Sequence, residues 1–316
     1  MFDPHEVVKK YDKALEDTYG DEWKEFYLKL VEDKNISRRT MPVKEMVRLL
    51  IKSWTETGTP FVFNRDAVNK MNPNKHKGMI YSSNLCTEIA QNMSASETVS
   101  TEIVDENGDT IIVNKTKPGD FVECNLASLT LGTLDVNNQA ELEETVRTVV
   151  RALDNVIDLN YYPTPYAEVT NKKYRAIGLG TSGYHHMLVK NDIKWSNKEA
   201  HGAFADKVYE DINYYAIKES MEIAKEKGSY KEFEGSDWQN GDYFSLRDYD
   251  SDRWEELKAE VSKNGLRNGY LMAIAPTGST SIISGTSAGV DPIMSRYFLE
   301  AVSYTHLRAH ETPEHL

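Results

Sequence analysis

Amphipathic helical stretches alternate along this 316-residue chain with apolar runs too short to be helices, and this alternation limits the folds open to it. Residues 138–159 carry Leu142, Val146, Val149, Leu153 and Val156 at helical spacing, which predicts one buried stripe. Residues 43–56 repeat the pattern with Val43, Met46, Leu49, Leu50 and Trp54, and Gly58 and Pro60 stop it. A capping box, Ser196-x-x-Glu199, opens a further long helix that Gly228 closes. Between these helices, residues 121–131 and 269–275 read as short strands, and residues 60–63 as a short apolar run expected to be buried. Helices interleaved with buried strands argue for an α/β class with a helix-rich N-terminal segment. Within residues 101–113, two β-prone runs flank Asn107-Gly108 and predict a hairpin on the surface. Residues 235–252 read as a loop with Trp238 as its aromatic anchor.

Charge and cysteine usage narrow the function classes. A formal net charge of −13 repels nucleic-acid polymers and anionic membranes, although one local pocket can still hold a small nucleotide. No apolar run approaches a membrane span, and polar residues 1–12 do not read as a secretory signal. Only two cysteines, Cys86 and Cys124, occur, which fits a reducing cytoplasm and disfavours a disulfide scaffold or structural zinc. Neighbouring His185 and His186 do not face the same way on a helix, so one is expected buried and one exposed, with no metal between them. His306 and His310 have the i, i+4 spacing of a metal pair. They lie in a terminal stretch that reads better as translated adapter sequence than as native fold.

Two short segments carry chemistry. In an extended Asn84-Leu85-Cys86-Thr87-Glu88, positions i, i+2 and i+4 point to one side, so Asn84, Cys86 and Glu88 face one ligand together. The amide can hold a hydroxyl, the carboxylate can move a proton, and the sulfur can attack or carry a radical. Taken alone, the same residues also describe an inert buried cysteine between two satisfied polar groups. The second segment, Pro276-Thr277-Gly278-Ser279-Thr280-Ser281, offers hydroxyls and backbone N–H groups in one run. A helix starting near Thr280 would add a favourable dipole for a diphosphate. Taken alone, it is equally an ordinary Pro-Thr-Gly turn.

The wording around these segments resembles a known family. Ser82-Ser83-Asn84-Leu85-Cys86-Thr87-Glu88-Ile89 resembles the active-site finger loop of ribonucleotide reductase large subunits. Cys124-Asn125-Leu126-Ala127-Ser128-Leu129 resembles that family's second cysteine strand, and residues 275–281 resemble its substrate phosphate loop, in the family's order. The resemblance covers residues 1–299. It implies a ten-stranded α/β barrel with the finger loop threaded through its centre, here in part, over residues 1–300. Residues 301–316 are then a non-native tail, since the run from Ser303 to Thr312 has no counterpart in the family.

By resemblance, Cys86 carries the transient thiyl, Glu88 is the acid/base for the ribose 3′ hydroxyl, Asn84 holds the 2′ hydroxyl, and Cys124 belongs to the reducing pair. Ser83 and the Pro276–Ser281 loop hold the substrate, a ribonucleoside diphosphate. Cys86 and Cys124 are both expected inside the barrel near one cavity, without a disulfide between them. A glycine turn at residues 177–180 is expected to pack close to the barrel. No cofactor is expected on the chain itself. The radical would come from a metal-containing small subunit and the electrons from a thioredoxin-type reductant, with a homodimer as the full-length state. The partner of Cys124, the effector site and the radical-relay tyrosines are not recognisable here, so the chain reads as an inactive internal fragment of a class I enzyme. An adenosylcobalamin-dependent class II enzyme and an inert nucleotide-binding polypeptide remain as alternatives.

Overall fold

The computed structural model describes residues 1–295, Tyr297, Leu299–Ala301 and Leu307–Ala309. In chain order the elements are α1 (Pro4–Tyr11), α2 (Gly20–Glu32), α3 (Val43–Thr57), α4 (Arg65–Lys70), β1 (Glu97–Glu106), β2 (Asp109–Lys117) and β3 (Leu126–Thr130). There follow α5 (Gln139–Leu159), α6 (Pro165–Tyr174), β4 (Gly178–Ser182), α7 (Tyr184–Lys190) and α8 (Lys198–Lys227). The series ends with α9 (Asp237–Asn240), α10 (Asp242–Ser245), α11 (Asp252–Asn264), α12 (Gly278–Ile283), β5 (Leu299–Ala301) and β6 (Leu307–Ala309). They divide between two compact units. One comprises Met1–Glu123, Tyr161–Arg175 and Tyr230–Gly265, and the other Cys124–Asn160, Ala176–Ser229 and the stretch from Leu266.

The first unit is helix-rich, as its N-terminal periodicity predicts. Asp3 caps α1 by accepting the amides of His5 and Glu6, and Pro4 stands where a missing N–H costs nothing. Val7, Leu30 and Ile36 form a small core between α1, α2 and the chain beyond. An asparagine cluster organises the middle. Asn72 Nδ2 donates to Asn92 Oδ1 at 2.6 Å, Asn92 Nδ2 to the Asn74 carbonyl at 2.7 Å, and Tyr230 OH to Asn74 Oδ1 at 2.7 Å. Trp238 is the buried anchor expected of its segment and stacks on Tyr243 at 3.7 Å, although short helices α9 and α10 replace the expected loop. The hairpin forms at Asn107-Gly108, both with positive φ, and its faces are largely exposed. Two expectations need correction. Helix α3 exists but none of its residues is buried, so the stripe of Val43, Met46, Leu49 and Trp54 is exposed. Phe61 and Val62, expected buried, are exposed as well.

The second unit is built on β4. It pairs in parallel with β3, from Leu126 opposite Gly178 to Thr130 opposite Ser182. Its other edge takes residues 270–273, also in parallel: the Ile177 amide donates to the Tyr270 carbonyl at 3.0 Å and the Ala273 amide to the Leu179 carbonyl at 3.1 Å. The glycines of residues 177–180 therefore lie at the start of a wholly buried strand and not in a turn. They are needed for close approach. A Cβ at Gly180 would sit 2.2 Å from the Ala273 carbonyl oxygen, and one at Gly178 would sit 2.4 Å from the Leu126 side chain.

Helices α5 and α8 support this sheet. Asn138 caps α5, and the buried stripe is Leu142, Val146, Val150, Leu153 and Ile157. It is rotated relative to the expected one, with Val156 outside. The reason is polar: Asp154 is fully buried, bonding Asn268 Nδ2 at 3.2 Å and Arg267 Nε at 3.4 Å. The cap of α8 is Asn197, whose side chain accepts the Ala200 amide, and not Ser196. Buried Glu219 on α8 joins Arg147 and Arg151 of α5, each at 2.5 Å.

The described strands form three separate two-stranded sheets, with residues 270–273 added to one, and no closed barrel occurs among the described residues. A barrel leaves no strand edge open, and here the outer edges of the β3–β4 set have no paired strand among the described residues. The class is α/β, and the described residues do not show the ten-stranded closure. Strands β5 and β6 pair antiparallel across the expected tail boundary, while most of residues 301–316, His306 and His310 among them, lie outside the described residues.

Both neighbouring histidines are half-buried, contrary to expectation, because the return segment 286–293 covers them. His185 Nδ1 accepts the Ile293 amide at 2.7 Å, and His186 Nδ1 lies 3.0 Å from Thr286 Oγ1. Burial, and then the charge of nearby His201, lowers the His185 pKa below its ordinary 6.5. A folded-state pKa below the unfolded one gives stability above pH 6.5 that is lost as pH falls.

Two outcomes follow from this packing. Gly180→Ala should cost about 1–3 kcal/mol in urea unfolding, because its Cβ meets backbone that cannot move aside. The melting temperature should fall as pH drops from about 7 to about 5.5, across the usual histidine range. His185→Asn keeps an acceptor but cannot titrate, so it should flatten that slope in circular-dichroism melts.

Candidate active site

The cysteine segment sits on a pinned loop in the first unit. Its entry is fixed by Asn69, which donates to the Ile80 carbonyl and accepts the Ile80 amide, each at 2.8 Å. Its neck is closed by Ser83 Oγ donating to the Ile89 carbonyl at 2.6 Å and by the Ile89 amide donating to Asn84 Oδ1 at 3.2 Å. Buried Ile80 and Ile89 hold both ends to the unit's interior.

Between them the backbone turns. The Thr87 amide donates to the Asn84 carbonyl at 3.1 Å, and Thr87 has φ 68°. The expected extended alternation therefore fails. A left-handed residue between Cys86 and Glu88 reverses the chain, so i, i+2 and i+4 no longer share one face. Cys86 stands exposed at the tip and is not inside a barrel. Asn84 spends its Oδ1 on the loop itself, which leaves its Nδ2 as the group able to hold a hydroxyl. Glu88 Oε2 is shielded from solvent with no hydrogen-bond partner among the described residues. A buried carboxylate oxygen without a donor can accept a hydrogen bond from a ligand hydroxyl.

A cavity of about 460 Å³ opens beside this turn. Thr59, Pro60, Phe61, Phe63, Ser82, Ser83, Asn84, Leu85 and Thr87 line it. The aromatic pair Phe61 and Phe63 was read from sequence as part of a short buried apolar run and not as part of a site wall. Its proximity to the turn depends on a fold contact that no local pattern records.

The other candidates belong to the second unit. Cys124 is exposed, two residues before β3, and forms no disulfide. The next residue, Asn125, accepts the Gly178 amide at 2.9 Å and donates from its side chain to the Leu153 carbonyl at 2.9 Å. The strand expected over residues 121–131 is thus shorter, and its cysteine lies outside the ladder.

Residues 276–281 follow the outer parallel strand. Cys124 and this loop therefore stand at opposite ends of one strand set. Ligands of open parallel sheets bind beyond the carboxyl ends of the strands, which is the loop's end. Helix α12 starts at Gly278, so the amides of Gly278, Ser279 and Thr280 form its first turn. Ser279 and Thr280 are exposed, whereas Thr277 and Ser281 are buried. Thr277 Oγ1 accepts the Gly289 amide at 2.7 Å, and the Thr277 carbonyl accepts the Ser281 amide at 2.8 Å. The return segment that supplies Gly289 was missed from sequence. Its run of small residues, Thr286-Ser287-Ala288-Gly289, is the signal that marks a close approach.

No group of three or more His, Cys, Asp or Glu side chains able to hold a metal ion occurs among the described residues. No helix among them is long and apolar enough to cross a membrane.

The family model for the ribonucleotide reductase barrel domain matches residues 1–310. The ribonucleoside-diphosphate reductase subunit alpha of Treponema pallidum (strain Nichols) is 59% identical over 297 residues, covering 94% of this chain and 35% of that protein. The subunit alpha of Helicobacter pylori (strain ATCC 700392 / 26695) is 35% identical over 347 residues, covering 95% and 43%. The ribonucleoside-diphosphate reductase large subunit of Variola virus is 33% identical over 296 residues, covering 92% and 35%. The chain thus spans about a third to two fifths of the length of these curated relatives. With a match that takes in the cysteine turn, the second cysteine strand and the 276–281 loop, the chain belongs to the ribonucleotide reductase barrel-domain family.

Proposed function

We propose that this chain forms part of the catalytic barrel of a class I ribonucleoside-diphosphate reductase. The observation that carries the reading is the family match over residues 1–310, which spans all three motifs at once. On this reading the β3–β4 set and residues 270–273 contribute to a ten-stranded barrel over residues 1–300. Residues 301–316 are read as a non-native tail, although the family match itself runs on to residue 310.

The residues divide the chemistry. Cys86, as a thiyl, removes the 3′ hydrogen of the ribose, and the same hydrogen returns at the end. Glu88 takes the proton of the 3′ hydroxyl, for which its undonated Oε2 suits it. Asn84 Nδ2, with Ser83 beside it, holds the 2′ hydroxyl that leaves as water. Cys124 and a second thiol supply two electrons and two protons, one proton leaving with the 2′ hydroxyl as water and one going to C2′, and become a disulfide. This chain has two cysteines, so that second thiol comes from outside these residues. The diphosphate lies on the 276–281 loop, where the amides of Gly278, Ser279 and Thr280 and the exposed hydroxyls of Ser279 and Thr280 donate to it. Pro276, Thr277 and Ser281 shape that loop from behind.

A separate metal-containing small subunit supplies the radical, a thioredoxin-type protein restores the thiols, and the whole enzyme is a cytoplasmic homodimer. The names of the relatives, subunit alpha and large subunit, support a partnered enzyme.

Calorimetry with cytidine diphosphate tests the binding half. Wild type should bind weakly, and the Ser279→Ala, Thr280→Ala double variant should lose about tenfold or more, the value of one charge-assisted hydrogen bond. Equal affinity in wild type and variant would remove the loop from the site. The catalytic half is tested by Glu88→Gln in the full-length reductase that contains this sequence. Substrate affinity should persist while turnover drops ~10²–10⁴-fold, the contribution of a positioned acid/base. Undiminished turnover would take Glu88 out of the mechanism.

A further inference from the structure

The loop of residues 276–281 is not self-supporting. Helix α12 ends after Ile283, and the chain doubles back through residues 286–289. The Thr286 amide donates to the Ser281 carbonyl at 3.0 Å, and the Gly289 amide donates to Thr277 Oγ1 at 2.7 Å. These bonds tie the return segment to both ends of the loop. The segment is held in turn by the start of α7: the Gly183 amide donates to the Ser287 carbonyl at 2.7 Å, and the Tyr184 amide to the Gly289 carbonyl at 3.3 Å.

One side chain joins the two sets of contacts. Thr286 Oγ1 lies 3.0 Å from His186 Nδ1. It occupies space that two glycines leave open. A Cβ on Gly132 would stand 2.2 Å from that oxygen, and one on Gly183 would stand 2.3 Å from it. Gly132 follows β3 by two residues and Gly183 follows β4 directly, so the hydroxyl is keyed into the carboxyl ends of both parallel strands.

We propose that Thr286 is a positioning residue for the phosphate loop, pinning its C-terminal side to the β3–β4 frame through His186 and the Gly132–Gly183 niche. It does not touch the phosphate. This rests on the diphosphate reading of the loop. Thr286→Val preserves shape and removes the hydroxyl, whereas Thr286→Ser preserves the hydroxyl.

The test uses the whole chain with cytidine diphosphate as probe, alongside amide hydrogen exchange without ligand. Thr286→Val should weaken binding at least fivefold and speed exchange at residues 281–286, with Thr286→Ser restoring both. A merely structural role would instead lower the melting temperature and leave the affinity of the folded protein unchanged. Binding within twofold of wild type in folded Thr286→Val overturns the proposal. Should wild type itself not bind the probe, the diphosphate reading falls and exchange alone decides. Faster exchange at residues 281–286 in Thr286→Val then supports the pin, and unchanged exchange overturns it.

Discussion

Strand β4 has no side chain at Gly178 or Gly180, and the second unit depends on the close approach this allows. Backbone pairs with it on both edges, to β3 and to residues 270–273. Side chains larger than hydrogen would meet the Ala273 carbonyl and the Leu126 side chain. The strand spacing in turn fixes where Cys124 and the 276–281 loop begin, one at each end of the same set. A parallel arrangement needs covered faces, and α5 and α8 are joined across their own interface by an unusually polar seam. Buried Glu219 of α8 meets Arg147 and Arg151 of α5, and buried Asp154 of α5 faces Lys227 of α8 at 3.8 Å and Arg267, beyond α11, at 3.4 Å. Such pairs add less stability than apolar residues of equal size would, but they penalise any register in which one charge is left alone. The seam thus specifies how the helices sit more than how tightly.

The cysteine turn rests on a different principle. Its geometry comes from polar side chains folded back on their own backbone. Asn84 and Ser83 satisfy the Ile89 amide and carbonyl, and Thr87 takes a left-handed conformation that a β-branched residue adopts only when held there. The result is a rigid neck below an exposed sulfur. The proposed chemistry asks for a reachable sulfur and for a carboxylate oxygen free to accept a ligand hydroxyl. The turn leaves Cys86 exposed and Glu88 Oε2 shielded, two residues apart.

Much of the fold was legible from residue pattern. Helices α3, α5 and α8, the Asn107-Gly108 hairpin and the Trp238 anchor follow from periodicity, caps and turn chemistry, all of which are local. The misplacements have one common cause. A stripe states that a helix is amphipathic without stating what covers it, and so α3 forms while its apolar face stays exposed. The α5 stripe shifts because burying Asp154 against Arg267 and Asn268, over a hundred positions away, outweighs burying Val156. The glycine run at residues 177–180 marked a close approach correctly but was read as a turn, since a glycine in a buried strand and one in a turn look alike in sequence.

The candidate site divides in the same way. The residue types were visible at once because an amide, a thiol and a carboxylate at fixed spacing, or a Pro-Thr-Gly-Ser-Thr run, are local words. Their arrangement was not, because alternation assumes an extended chain and Thr87 breaks that assumption. The supporting residues were least visible of all. Thr286, Gly132, Gly183 and His186 are separated by up to 154 positions and carry no shared motif. Only the parallel pairing of β3 with β4 brings them together, since it sets the ends of both strands side by side. A phosphate loop read from sequence is therefore a list of donors. What gives those donors a fixed direction is the strand register beneath them, in strands whose close approach Gly178 and Gly180 allow.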